Sequence, residues 1–318
     1  NPPVERLHLG AFRHGFGMVA AIRVVALMRD FNGHALERPT LAVGIHLHCH
    51  RGTRTQRRVE QVVGRRAAVV AAKAARFIGH EAVVRGMHFG PELAVAGLGD
   101  DPFFVPINKK TPVVALTRRA DEQAPVFAEN WHTDWSFKKH PPIGTCLYSL
   151  VVPPVGGNTG FANQQMALAQ MADELRSRLE GKVALHSAAA AYGPQGTYGE
   201  KDQGNDRSMK ILFSEQANNS EPHPIIAKHP ESGNDTLFGT VGYIHTIVGL
   251  EEDQSQQLIM DLYHWQTREE FQYTHVWEPN TLVVWDNRSV LHRAYGGYDG
   301  HARELHRLTI AGSAGLSL

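Results

Sequence analysis

From Gly97 onward the chain is written in short apolar runs separated by turn residues, and that texture limits its fold more than any other feature. Pro112-Val113-Val114-Ala115-Leu116, Thr145-Cys146-Leu147-Tyr148-Ser149-Leu150-Val151-Val152 and Thr281-Leu282-Val283-Val284-Trp285 are rich in β-branched and aromatic residues and bounded by Pro, Gly, Asn or Asp. Runs of this kind read as strands. Helical periodicity interrupts them twice, over residues 163–179 and 252–270; in the second, Leu258, Leu262 and Trp265 recur three to four residues apart after an acidic start. The fold class implied is mainly β with helical insertions, a decorated sandwich or jelly roll. The polar, glycine-rich stretch 193–208 reads as a long surface loop, the type of segment that serves as a lid in compact domains.

The first third has a different composition. Residues 1–100 hold 14 basic against 7 acidic side chains and residues 101–318 hold 18 against 25, so a net charge of zero hides parts of +7 and −7. All five tryptophans and all eight tyrosines lie beyond residue 130. Aromatic side chains dominate the energetics of cores and sites, which places the best-packed region and any small-molecule pocket in the later two-thirds. Residues 51–85, first Arg-rich and then Ala/Val-rich, favour one helix. That basic stretch lacks the interleaved aromatics of a nucleic-acid module and reads as a solvated face. His46-Leu47-His48-Cys49-His50 is followed by no second ligand group at zinc-site spacing and reads as a His-rich strand. Two cysteines, Cys49 and Cys146, are too few for a disulfide framework. No run approaches the roughly 18 apolar residues of a membrane span, and Asn1-Pro2-Pro3 lacks the charged start and apolar core of a signal peptide. These features predict a soluble, cytoplasmic protein with no nucleic-acid or membrane partner; the usual prior for such proteins is a homo-oligomer, a dimer or tetramer.

The segment that carries chemistry is Asn130-Trp131-His132-Thr133-Asp134-Trp135-Ser136-Phe137. On an extended backbone, residues two apart share a face, so His132 and Asp134 converge while Thr133 turns away. An imidazole and a carboxylate suit a divalent metal such as iron(II), and two histidines with one carboxylate leave coordination positions open for substrate. Far downstream, Trp285-Asp286-Asn287-Arg288-Ser289-Val290-Leu291-His292-Arg293-Ala294 offers His292 as the third ligand at the end of a strand-like run. Arg303 follows eleven residues later, enough for a turn at Gly296-Gly297 and a return on a neighbouring strand, where a guanidinium suits capture of a carboxylate. Asp286 and Asn287 read as shaping the strand end. His186, His223, His229, His245, His264, His275, His301 and His306 read as hydrogen-bonding or surface residues.

Taken with Pro153-Pro154-Val155-Gly156-Gly157-Asn158-Thr159, His223-Pro224, His229-Pro230 and Arg307, these motifs give residues 113–312 a resemblance to the taurine/2,4-dichlorophenoxyacetate dioxygenases, a family of Fe(II)- and 2-oxoglutarate-dependent oxygenases. The resemblance implies a double-stranded β-helix, or jelly roll, with His132, Asp134 and His292 as the catalytic metal ligands. It implies that Thr159 and Arg303 grip the distal carboxylate of 2-oxoglutarate, the cosubstrate with O2. Arg307 is implied in the same pocket, towards the anionic end of substrate or cosubstrate. The activity implied is hydroxylation of a small anionic organic substrate (a sulfonate, a sulfate ester, or an aryloxy or alkyl acid) with release of succinate and CO2.

The same resemblance places Trp135, Tyr192 and Tyr243 beside the substrate, and three rings favour an extended apolar or aromatic body over one as small as taurine. Ala128 stands where the taurine enzymes carry an asparagine, and Thr240 replaces another; both departures weigh against taurine. Residues 1–95 do not match the family pattern and form either a segment packing on the core, a divergent subdomain, or the product of an altered reading frame; residues 96–318 are expected to be the catalytic domain. A reading from a different class stays open, in which the jelly roll binds a metal or ligand and turns nothing over.

Overall fold

The computed structural model describes residues 99, 101–109, 111–230 and 233–311, together with the backbone of four strands in the first third, Val19–Arg23, Val25–Arg29, Ala35–Ala42 and Glu81–Val83. The His-rich run 46–50 and nearly all of 51–85 lie outside the described residues. Of the helix expected over 51–85, the end that is described, Glu81–Val83, is a strand paired in parallel with Ala35–Ala42.

All three apolar runs lie in strands, displaced by a residue or two: Val114–Arg118, Gly144–Val151 and Thr281–Asp286. They belong to one five-stranded antiparallel sheet, in the order Val19–Arg23, Thr281–Asp286, Gly144–Val151, Arg303–Ile310, Val114–Arg118. A second layer contains the three-stranded sheet Gln272–His275, Thr159–Asn163, Val290–Ala294. Leu147, Val283, Trp285 and Leu305 from the larger sheet meet Phe161 and Val290 from the smaller one in a single buried cluster. This core follows from strand periodicity: Val283 and Trp285, two residues apart, project to the same side. Strands Ile244–Ile247, Val183–Ser187 and Ser220–Pro224 make a further sheet.

The helical insertions also form where periodicity placed them. Residues 163–179 become two short helices, Gln164–Ala169 and Asp173–Leu179, the first capped by the Asn163 side chain accepting from the Met166 N–H. Glu252–Gln266 is a 15-residue helix whose Leu258, Ile259 and Leu262 bury against Leu179, Ala184 and Ile247. Glu252 and Asp253 in its first turn complement the helix dipole. No helix among the described residues is long and apolar enough to cross a membrane. Stretch 193–208 is a series of turns with a 3-10 turn at Asp202–Gly204. It is tied inward rather than splayed into solvent: Tyr198 Oη accepts from the Ala128 N–H, and Arg207 pairs with buried Asp202.

Candidate active site

His132 and His292 are joined by their own backbones. The His132 N–H donates to the His292 carbonyl at 3.0 Å and the His292 N–H donates back at 2.8 Å, an isolated antiparallel bridge. The expected extended run through Asp134 is shorter than the sequence suggested: after His132 the chain turns, and Trp135 takes a left-handed backbone at φ 49°. A bulky residue there is uncommon and needs its surroundings to hold it. The indole N–H of Trp135 donates to Asp101 Oδ1 at 2.6 Å, which supplies such a restraint. Thr133 points away from the ligand pair as alternation requires, its hydroxyl donating to the Asn287 carbonyl at 2.6 Å.

Asp134 Oδ1 lies 3.9 Å from His132 Nε2 and 3.7 Å from His292 Nε2, and the three potential ligand atoms fall within 4.8 Å of one another. The His132 Nδ1–H donates to the Asn130 carbonyl at 2.8 Å, which leaves the Nε2 lone pair facing the other two groups. Burial lowers both imidazole pKa values, that of His292 to about 3, so both rings are neutral and able to ligate. For Asp134, burial opposes ionisation, but Arg307, His292, His132 and the Thr145 hydroxyl together hold the carboxyl well below its usual range. Two neutral imidazoles and an ionised carboxylate fit a divalent metal with open positions, iron(II) included.

The carboxylate is braced by residues that sequence reasoning missed. Thr145 Oγ1 donates to Asp134 Oδ2 at 2.5 Å and accepts from Asn287 Nδ2 at 3.0 Å; Asn287 Oδ1 in turn accepts from the Trp285 indole at 2.8 Å. Asn287 does shape the strand end, and through Thr145 it also fixes a candidate ligand. Asp286 is committed to Arg288 and His229, consistent with its structural reading. Asp101 was not singled out at all, since nothing in Gly99-Asp100-Asp101-Pro102 distinguishes it from a turn.

A cavity continuous with solvent opens over these groups. Arg303, Leu305 and Arg307 alternate with outward residues on strand Arg303–Ile310, and all three line it. Arg303 stands opposite Arg118 in the neighbouring strand. The Tyr298 ring lies 5.8 Å and 5.9 Å from the two guanidinium carbons, a cation–π arrangement that eases the like-charge pairing. Arg303 Nε donates to the Gly157 carbonyl at 3.1 Å, and the Gly157 N–H donates to Gly296 at 3.1 Å. Gly156 and Gly157 have φ near +65°, and a Cβ on Gly156 would fall 2.3 Å from the Gly297 carbonyl oxygen. Two glycine pairs thus let the loops that seat Arg303 meet backbone to backbone.

Thr159 lines the same cavity, its hydroxyl oxygen accepting from the Trp277 indole at 3.0 Å. Because indole only donates, the threonine proton is left for another acceptor. Trp135, Tyr192 and Tyr243 also line the cavity, all buried, with Phe103, Phe104 and Phe127 packed against them. Tyr192 ends the short helix Ala189–Tyr192 and stacks on Phe103 at 4.3 Å. Arg307 lines the same cavity as Arg303, with partners that were not foreseen: Nη1 is 2.6 Å from Asp101 Oδ1 and Nη2 is 3.0 Å from Asp134 Oδ1.

The profile of the family described as taurine catabolism dioxygenase TauD, TfdA family matches residues 73–309. The chain belongs to the TauD/TfdA family. The match begins well before residue 113 and so includes the end of the segment 1–95, which was expected to fall outside the family pattern. Curated relatives in the TauD/TfdA family include an alkylsulfatase of Acinetobacter baylyi, 33% identical over 193 residues (60% of this chain, 59% of that one). An alpha-ketoglutarate-dependent 2,4-dichlorophenoxyacetate dioxygenase of Cupriavidus pinatubonensis is 35% identical over 183 residues, 56% of this chain and 58% of that one. The aligned part thus spans about three-fifths of the length of these relatives. A taurine dioxygenase from Burkholderia xenovorans superposes with a TM-score of 0.54 at 22% identity, covering 92% of this chain and 90% of that one. AAD-2, solved with Mn(II) and N-oxalylglycine, gives 0.51 at 21% identity, covering 92% and 98%. These likenesses establish the TauD-type jelly-roll fold.

Proposed function

We propose that the chain is an Fe(II)- and 2-oxoglutarate-dependent dioxygenase that hydroxylates a small organic anion, of the sulfonate, sulfate ester, aryloxy acid or alkyl acid type, with release of succinate and CO2. The observation that carries this reading is the convergence of His132 Nε2, Asp134 Oδ1 and His292 Nε2 at the floor of a cavity whose wall bears Arg303. When bound, the iron, 2-oxoglutarate and O2 supply the oxidising chemistry that puts oxygen into a C–H bond. The chain supplies geometry. His132, Asp134 and His292 would hold the metal, the two imidazoles kept neutral by burial and the carboxylate kept ionised by its neighbours. Arg303, with no carboxylate partner among the described residues, retains its charge for the distal carboxylate of 2-oxoglutarate, and the free Thr159 proton donates to the same group. Trp135, Tyr192 and Tyr243 hold the apolar body of the substrate and exclude water from the reacting carbon.

The names of the relatives support this class over a non-catalytic jelly roll: they include an alkylsulfatase, a sulfate ester dioxygenase and aryloxy acid dioxygenases. Hydroxylation beside a heteroatom gives a product that falls apart, so sulfate, sulfite or a phenol is the expected second product. Anaerobic addition of Fe(II) and 2-oxoglutarate should produce a weak visible charge-transfer band, and a screen of anionic substrates should release succinate. If neither appears, the binding-protein reading takes its place.

A further inference from the structure

A guanidinium attracts an anion only with the charge its neighbours leave it. Five arginines line the cavity, and their partners differ. Arg118 pairs with Glu122 and Arg207 with Asp202. Arg293 lies over the rings of Trp131 and Tyr295, and Arg303 meets a backbone carbonyl and Tyr298; among the described residues neither has a carboxylate partner. Arg307, the arginine beside the candidate metal ligands, has two. One is Asp134, whose charge is committed to a metal on the reading above. The other is Asp101, which does not line the cavity: its side chain is 2% exposed and sits behind Arg307, one oxygen accepting from both Arg307 Nη1 and the Trp135 indole at 2.6 Å. Its second oxygen is buried without a partner, and among the described residues Arg307 is the one charged group that balances this carboxylate. Burial of a charge is tolerated when it is paired, and here Arg307 is the pair.

We infer that Asp101 is a specificity-determining residue that acts through Arg307: by cancelling the guanidinium's charge from behind, it leaves the substrate side of the pocket with N–H donors but little net positive field. Uncharged polar head groups, such as amides, are then accepted alongside the anions, which are gripped less strongly than a free arginine would grip them. The inference deepens the oxygenase reading by naming what selects the substrate's head group, and rests on it in taking this cavity as the substrate pocket and Asp134 as a metal ligand.

The test is isothermal titration of a matched pair, 2,4-dichlorophenoxyacetate and its primary amide, into anaerobic protein holding Fe(II) and 2-oxoglutarate. Asp101→Asn removes the charge while keeping an acceptor for Trp135 and Arg307, so a merely structural change would move both ligands alike. Wild type should prefer the acid by less than about tenfold, whereas Asp101→Asn should tighten the acid by about tenfold or more and change the amide by no more than about twofold. An acid that binds the variant no more tightly, or a parallel change in both ligands, overturns the inference. So does a wild-type preference for the acid beyond about a hundredfold, an outcome that needs no variant to fold. Failure of 2-oxoglutarate itself to bind would instead sink the oxygenase reading, and is scored separately.

Discussion

Replacing Thr145 by valine isolates one hydrogen bond to the candidate metal site. Thr145 is fully buried, and valine keeps its shape, so no cavity opens. Two interactions disappear: the O–H donated at 2.5 Å to Asp134 Oδ2 and the acceptor for Asn287 Nδ2 at 3.0 Å. A hydrogen bond to a charged group contributes about 1.5–3 kcal/mol, and an orphaned buried donor costs about 1–3 kcal/mol, so the metal-free variant should lose about 2.5–6 kcal/mol of stability. Asp134 would also be free to rotate away from the imidazoles. Removing the partner that orients a ligand typically lowers metal affinity about 10–100-fold. Fe(II) affinity is measured by anaerobic competition with a chromophoric chelator, and stability by thermal melting. Thr145→Ser, which retains the hydroxyl, should recover most of both. A valine variant that melts lower yet binds Fe(II) like wild type would refute the reasoning, because the bond would then support the core and not the ligand.

Arg303→Gln should lose 2-oxoglutarate affinity by about a hundredfold or more, as one member of a charged hydrogen-bonded pair is removed, while Fe(II) affinity stays close to wild type; titration with each ligand separates the two. Trp277→Phe deletes the indole that fixes the Thr159 hydroxyl, and should raise the KM for 2-oxoglutarate by a few fold with little change in kcat. For the metal-free protein, burial lowers the pKa of His292 to about 3 and that of His275 to about 4, against about 6.5 in an unfolded chain. The unfolded state therefore binds the extra protons, and stability present above pH 6.5 is lost as pH falls towards 3, at about 1.4 kcal/mol per pH unit for each histidine. Urea melts from pH 7.5 to 4.5 should show this loss, and a flat profile would count against neutral, buried rings.

Legibility in the sequence followed how local each signal was. Strands in the later two-thirds could be read because their apolar runs are short, β-branched and bounded by turn residues; the helix Glu252–Gln266 showed its face through Leu258 and Leu262. The candidate ligands His132, Asp134 and His292 were readable because the His-x-Asp spacing and the order of the downstream motifs carry the family resemblance. The turn at Trp135 was not, since a left-handed backbone at a tryptophan has no local signature and is held by a residue 34 positions earlier in the chain. Thr145 and Asp101 escaped for the same reason: a threonine inside a strand and an aspartate in a turn are ordinary until the fold places them against Asp134 and Arg307. Gly296-Gly297 was visible as a turn and Gly156-Gly157 as part of a motif, but their mutual contact was not.

The reciprocal backbone hydrogen bonds between His132 and His292 have a bearing on which ions the site tolerates. With the two main chains clasped, the gap separating the imidazoles is a property of the scaffold, beyond the reach of neighbouring side-chain changes. Asp134 lies beyond that clasp, in a turn, and is held by the side chains of Thr145 and Arg307 and not by a main-chain bridge. Ions of different radius should therefore be told apart by how far one carboxylate must travel, and exchanging iron for manganese or cobalt should disturb the turn at Trp135 before it disturbs either ring.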